Sequence, residues 1–143
     1  MNIVWGLFVF ALALLAWGGQ TISWLAPNMA QALALTEREE DVEPTYWADG
    51  RGEAAWDFFT LWTVAVAGLL LALDAAAWPY FGLIGGAVYV YFAGRGVLTR
   101  LAMQRRGLRI GAPRNVRLGY GFLVVWGLMG LAIVVAAVME LSS

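Results

Sequence analysis

The residues best equipped for chemistry in this sequence are carboxylates that crowd into one short polar stretch. Five of them can offer oxygen ligands to a hard cation: Asp41, Glu43, Asp49, Glu53 and Asp57. A cation such as calcium binds about six to eight oxygens, and the stretch also contains Gly50 and Gly52. The spacing differs from that of an EF-hand loop. A metal site, and with it a metal-dependent enzyme acting on membrane lipids, is therefore kept as one alternative hypothesis.

A second candidate is Asp74, at the end of the second apolar stretch. It shares a helical face with Thr60 and Thr63 if each residue turns the helix by about 100°. An acid inside a membrane usually faces protein or water, and it can bind a proton or a cation. Transport through such a site would require an oligomer, because four helices fill their own centre with side chains. Asp74 lies only about 6 Å along the axis from Trp78, so an interfacial or turn-stabilising role is favoured.

The residue types that the chain lacks exclude most enzyme mechanisms. It contains no Cys, no His and no Lys. Disulfides, thiolate and imidazole metal ligands, a Ser-His relay and Schiff-base chemistry are therefore excluded. No cofactor is expected, and the sequence favours a non-enzymatic protein.

These side chains must be positioned by helices, because the apolar residues form four blocks long enough to cross a bilayer. The blocks cover about residues 2–26, 58–77, 80–96 and 118–139. A helix needs roughly 20 residues to cross about 30 Å of hydrocarbon. Hydrophobic residues make up 62% of the chain and charged residues 13%, against about 25% charged in soluble domains. The sequence predicts an all-α, integral membrane four-helix bundle in one domain, residues 1–143.

Two charged connections join the spans, an acidic one over residues 27–57 and a basic one over residues 97–117. Short loops rich in Arg remain on the cytoplasmic side of a membrane, so the basic connection is predicted to be cytoplasmic. A tight turn at Trp78-Pro79 then places the acidic connection on the same side and both termini outside the cytoplasm. The preference for Arg over Lys, with abundant Ala and Gly, suggests a bacterial cytoplasmic (inner) membrane.

The two connections carry opposite charge and are expected to attract each other. Residues 36–57 hold eight acids and two arginines, a balance of −6, whereas residues 95–117 hold seven arginines and no acid. Guanidinium groups match carboxylates geometrically, so at least two ion pairs between these stretches are predicted. Asp57 and Arg95 occupy similar depths on the second hairpin, where they could also pair.

A short helix is predicted in the acidic connection. The run Thr36-Glu37-Arg38-Glu39 matches a capping box, in which side chains satisfy the first backbone donors of a helix. A helix that starts at Thr36 and stops before Pro44 would also place acids near its N-terminus, where negative charge is favourable.

The arginines also suit a membrane surface. Basic residues next to a span meet a negatively charged leaflet, which attracts each of them by about 1 kcal/mol. The arginines expected to hold anionic lipid headgroups are Arg100, Arg105, Arg106, Arg109, Arg114 and Arg117. Membrane lipids are therefore the expected partners, and no interaction with nucleic acid is predicted.

Small residues mark one face of the third span. The residues on this face, within about 100° of arc, are Gly82, Gly85, Gly86, Tyr89, Ala93 and Gly96. Gly82 and Gly86 form a GxxxG pair, which permits close approach of another helix. The face is predicted to pack inside the bundle, with a homodimer interface or a substrate groove lined by Tyr89 as alternatives.

The charged connections are the most strongly marked surfaces, and they guide the functional hypothesis. The favoured function is that of a small non-enzymatic membrane protein, an accessory or scaffold subunit that binds lipids, a partner membrane protein or further copies of itself. The alternatives are a homo-oligomeric channel or transporter using Asp74 with the face of Thr60 and Thr63, and the metal-dependent lipid enzyme.

Overall fold

The computed structural model describes residues 2–143 and consists of α-helices, with no strand in that range. The helices are α1 (Asn2–Leu25), α2 (Pro27–Ala32), α3 (Pro44–Thr60), α4 (Trp62–Ala72), α5 (Trp78–Arg105) and α6 (Pro113–Leu141), with a 3₁₀ turn at Glu39–Asp41. Only Leu61 separates α3 from α4, so these two helices together form one long element.

Four helices are long and apolar enough to cross a membrane, which confirms the predicted number. They are Asn2–Leu25, Pro44–Ala72, Trp78–Arg105 and Pro113–Leu141. The last three have 29, 28 and 29 residues, or about 42–44 Å at 1.5 Å per residue, well beyond the hydrocarbon thickness of about 30 Å. The second of these helices starts at Pro44, fourteen residues before the apolar block at 58–77. Asp49, Glu53 and Asp57 therefore lie on a helix and not in a connection.

Prolines define where helices begin. All four prolines of the chain lie in the first turn of a helix: Pro27, Pro44, Pro79 and Pro113. In this position the missing N–H has no helical partner to lose, and the fixed φ angle suits the helix. The break expected at Pro27 is present, since α1 ends at Leu25 and α2 begins two residues later.

The helix predicted from the capping box at Thr36 is wrong. Residues 36–38 are not helical, and only the 3₁₀ turn at Glu39–Asp41 follows them. Val42 is buried, and the backbone N–H of Glu43 donates to the carbonyl of Arg109 at 2.8 Å. These contacts hold the chain extended before Pro44, a conformation that a following proline also favours.

The long helices pack in the spatial order α1, α4, α5, α6, and α1 barely touches α6. Asn2 donates a hydrogen bond to Asp74 at 3.1 Å, so the start of α1 lies beside the α4–α5 turn. Gly82 near the start of α5 faces Ala137 near the end of α6. We call this the termini end, and we call the opposite end, with residues 26–43 and 106–112, the loop end.

Glycines allow the closest helix contacts. A Cβ at Gly68 of α4 would lie 2.6 Å from the backbone nitrogen of Phe10 in α1. A Cβ at Gly86 of α5 would lie 2.7 Å from the carbonyl oxygen of Gly130 in α6. The small-residue face of α5 is thus covered from two sides within one chain, by α4 and by α6. Tyr89, in the same face, is fully buried.

Candidate functional site

Arg95 on α5 joins the charged residues of α3 near the loop end. Its two terminal nitrogens donate to Asp49 at 2.5 Å and to Glu53 at 2.8 Å. The side chain of Glu53 is only 10% exposed, whereas those of Arg95 and Asp49 are about one-third exposed. Asp49 and Glu53 are four residues apart and share a helical face, so one guanidinium can reach both carboxylates.

Asp57 and Arg95, which could pair by their depth, form no ion pair in the structure of residues 2–143. Arg95 binds the two acids that lie one and two turns closer to the loop end. Asp57 is 4% exposed, and its Oδ2 atom has no hydrogen-bond partner within residues 2–143. The missed signal is helical spacing: Asp49, Glu53 and Asp57 repeat every four residues on one face.

A small cavity of about 210 Å³ lies beside this acidic face. Its polar lining consists of Glu53, Asp57, Thr60, Tyr91 and Arg95. Trp56 also lines the cavity and is 64% exposed, as is Tyr91, so the cavity reaches the outer surface between α3 and α5. Asp57 is thus buried from bulk solvent but borders a space that leads outward.

Side-chain donors surround the helix break at Leu61. Three successive carbonyl oxygens accept hydrogen bonds there: Phe59 from Trp62 Nε1 at 2.8 Å, Thr60 from Thr63 Oγ1 at 2.7 Å, and Leu61 from the Tyr89 hydroxyl at 3.3 Å. The Tyr89 hydroxyl also lies 3.2 Å from the carbonyl of Ala13 on α1. Within a membrane, a broken helix is tolerated where such partners satisfy its backbone.

The proposed transport residues do not come together. Asp74 is exposed in the α4–α5 turn, where it has a φ of 52° and accepts a hydrogen bond from Asn2. Thr63 lies eleven residues earlier, about 16 Å along the helix axis. The hydroxyls of Thr60 and Thr63 donate to the backbone of their own helix. Asp74 thus occupies the kind of position that an interfacial or turn-stabilising role requires.

The proposed metal ligands do not converge. Within residues 2–143 no group of three or more Asp and Glu side chains is arranged to hold a metal ion. Asp41 lies in the 3₁₀ turn, and Glu43 forms an ion pair with Arg109 at 3.5 Å. Asp49 and Glu53 are engaged by Arg95.

The expected ion pairing between the two charged stretches is confirmed. The contacts are Arg95 with Asp49, Arg95 with Glu53, and Arg109 with Glu43. The guanidinium of Arg100 lies 5.8 Å from the ring centre of Tyr46, in cation–π geometry. The remaining arginines of the basic stretch are exposed and form no ion pair in the described part of the chain: Arg105, Arg106, Arg114 and Arg117.

A second, larger cavity of about 530 Å³ is a cleft between α1 and α6 that opens toward the loop end. Trp126 on α6 donates to the carbonyl of Leu12 on α1 at 3.1 Å and bounds the cleft toward the termini end. From this bond toward the loop end, α1 and α6 diverge. Gly19 and Gly119 both line the cleft, and a Cβ at either would meet no atom within 4 Å.

The cleft has an apolar part and a polar part. Its apolar lining includes Leu15, which is 67% exposed, and Phe122, which is 55% exposed, so this wall faces outward. Its polar lining lies toward the loop end and consists of Gln20, Ser23, Thr36, Glu37, Tyr46, Asp49, Arg51, Glu53, Thr99, Arg100 and Asn115. Arg51 is held in place by a hydrogen bond to the carbonyl of Ser23, in the last turn of α1.

Known proteins provide no further constraint. Comparisons with protein-family models, curated proteins and solved structures found no match. The features of the molecule that bear on function are the cleft, the arginines around it and the buried carboxyl group of Asp57.

Proposed function

We propose that this chain is a non-enzymatic multi-pass membrane protein that binds anionic phospholipid at its loop end. The cleft between α1 and α6 carries the proposal, because it combines an outward apolar wall with arginines at the loop end. A phospholipid has the same division, with acyl chains in the hydrocarbon and a charged headgroup at its edge. The cleft volume of about 530 Å³ would accept part of one lipid molecule.

Arginines provide the charge that an anionic headgroup requires. Arg51 and Arg100 line the cleft, and neither forms an ion pair within residues 2–143. The lining also contains three carboxylates, of which Asp49 and Glu53 are bound by Arg95. Four further exposed arginines without an ion pair lie at the same end of the bundle: Arg105, Arg106, Arg114 and Arg117. Because each basic residue near an anionic leaflet contributes about 1 kcal/mol, this end would also be drawn to the membrane surface.

The orientation follows from the same arginines. The six arginines of residues 100–117 lie at or next to the loop end, and loops rich in Arg stay on the cytoplasmic side. The loop end would then face the cytoplasm, and both termini would lie outside it. In a bacterial inner membrane, the protein would act as an accessory or scaffold subunit, presenting its lipid-filled cleft to a partner membrane protein or to another copy.

Lipid retention tests the proposal. The protein, released from bacterial membranes in mild detergent, is analysed by native mass spectrometry for bound phosphatidylglycerol. Gly119→Trp would fill the cleft, because nothing lies within 4 Å of a Cβ there. Gly121→Trp is the matched control, since Gly121 is exposed on the same helix and does not line the cleft.

We expect unaltered protein and Gly121→Trp to retain phosphatidylglycerol, and Gly119→Trp to lose most of it. Equal retention by Gly119→Trp would show that the lipid binds elsewhere. Retention of uncharged lipid in preference to phosphatidylglycerol would contradict the role of the arginines.

A channel or transporter built from several copies is the second candidate. The observation that favours it is the burial of Asp57 beside an outward cavity, since ionisable residues inside membranes often mark proton or ion pathways. Asp74, by contrast, is exposed at the end of the bundle. Reconstituted vesicles would test this candidate, because Asp57→Asn should then reduce proton or cation flux more than Asp74→Asn.

A further inference from the structure

Asp57 is a buried carboxyl group in the middle of a long helix. It lies about 22 Å along the axis from Ala72, at 1.5 Å per residue, and so within the membrane-spanning part of the bundle. The residue is only 4% exposed, and its Oδ2 atom has no hydrogen-bond partner in residues 2–143. A buried carboxylate without donors is costly, whereas a neutral carboxylic acid is not.

The surrounding elements supply one cation and several acids. On its own helix, Glu53 lies one turn away and Asp49 two turns away. From α5, the groups facing it are Arg95, Tyr89 and Tyr91, whereas α1 and α4 carry no ionisable side chain. Arg95 is already bound by Asp49 and Glu53. The three carboxyl groups on this face have one guanidinium beside them. It binds Asp49 and Glu53, and Asp57 has no ion-pair partner.

A proton neutralises the charge of Asp57 more readily than a metal ion would. Arg95 lines the same cavity as Asp57 and would repel a metal cation placed there. Within residues 2–143 no cluster suited to a metal is present at this place. A proton attaches to the carboxyl group itself and removes the buried charge. The cavity of about 210 Å³ has a polar lining that includes Glu53, Thr60 and Arg95 and is large enough to hold water, which can exchange the proton along this lining toward the loop end.

We propose that Asp57 is a proton-binding site, protonated in the described arrangement and exchanging its proton through the cavity beside Trp56 and Tyr91. Loss of the proton creates an ionised carboxylate one turn from Glu53, on the same helical face. The ionised Asp57 then competes with Glu53 for Arg95. Proton binding at Asp57 and the ion pairs of Arg95 are therefore coupled.

Infrared spectroscopy tests the site directly in lipid vesicles. A protonated carboxyl group has a carbonyl stretch that an ionised one lacks, and labelling aspartate with carbon-13 at the carboxyl carbon shifts the stretch of Asp but not of Glu. We expect a label-sensitive carbonyl band at neutral pH that Asp57→Asn abolishes. The band should shift after transfer to heavy water, because the proton exchanges.

Asp74→Asn serves as the control and should retain the band, since Asp74 is exposed. Glu53→Gln should weaken the band, because it removes a neighbouring negative charge and frees part of Arg95 for an ionised Asp57. If Asp57→Asn does not fold, the labelled unaltered protein still decides the question. Absence of a protonated aspartate band, or its loss in Asp74→Asn rather than Asp57→Asn, would overturn the proposal.

Discussion

The two ends of the bundle are built in opposite ways. Toward the termini end, helices meet through glycine, and Gly86 brings α5 so close to Gly130 of α6 that a Cβ would clash. Toward the loop end, α1 and α6 separate, and Gly19 and Gly119 border open space. A glycine in a membrane helix therefore indicates packing only where a second helix covers it. Where none does, it leaves room for another molecule.

The strongest test of the packed end is Gly86→Leu. The added side chain would meet the carbonyl of Gly130 and the side chain of Val134 at about 2.7 Å, and overpacking of this kind typically costs about 1–3 kcal/mol or more. We expect a large loss of stability in reversible unfolding by sodium dodecyl sulfate in mixed micelles. Gly94→Leu is the control, because nothing lies within 4 Å of a Cβ there. Equal effects of the two variants would contradict the described α5–α6 contact.

Arg95→Gln tests the charged cluster at the loop end. It would leave the largely buried carboxylate of Glu53 without its ion-pair partner, and an unsatisfied buried polar group costs about 1–3 kcal/mol. The same unfolding assay should show this loss, reduced by the partial exposure of Arg95. Arg38→Gln should have little effect, because Arg38 and Glu40 form an exposed pair with side chains 68% and 69% exposed.

Tyr89→Phe tests the helix break between the two ends. The hydroxyl shares its one proton between the carbonyls of Leu61 and Ala13, so its removal should destabilise the bundle by about 0.5–1.5 kcal/mol. Tyr91→Phe removes the hydroxyl of an exposed tyrosine on the same helix and should change stability little. A larger loss from Tyr91→Phe would place the important hydroxyl in the small cavity instead.

The smallest effect is expected from Asp74→Asn. Asp74 has a positive φ, which Asn tolerates about as well as Asp, and its bond with Asn2 is exposed. Unfolding measurements should show a change below about 0.5 kcal/mol, as for most surface substitutions. A severe loss would mean that the turn depends on the charge of Asp74.

The hydrophobic blocks were enough to predict four helices, because the length of a span is set by the thickness of the bilayer. They could not predict where the helices end. α3 continues as a helix through Asp49 and Glu53 because Arg95 pairs with both acids from the neighbouring helix. Such a tertiary contact is invisible to a hydropathy pattern, which interprets acids as a connection.

The candidate sites were harder to predict than the fold. Asp74 stands out in the sequence because apolar residues flank it, yet it is exposed in the structure. Asp57 is one of several acids in the same polar stretch and does not stand out in the sequence, yet it is the buried one. The four-residue helical repeat distinguishes it from Asp74, since Asp57 follows Asp49 and Glu53 at that spacing. The cleft between α1 and α6 could not be predicted, because it depends on which helices do not touch.

The most direct test of the central claim is to map where phosphatidylglycerol contacts the protein. Vesicles containing a photoreactive phosphatidylglycerol are illuminated, and the crosslinked residues are identified by peptide mass spectrometry. The account predicts crosslinks concentrated on the facing walls of the cleft, at Leu15 and Gly19 of α1 and at Gly119 and Phe122 of α6. Crosslinks spread evenly over the exposed faces of all four long helices would contradict it.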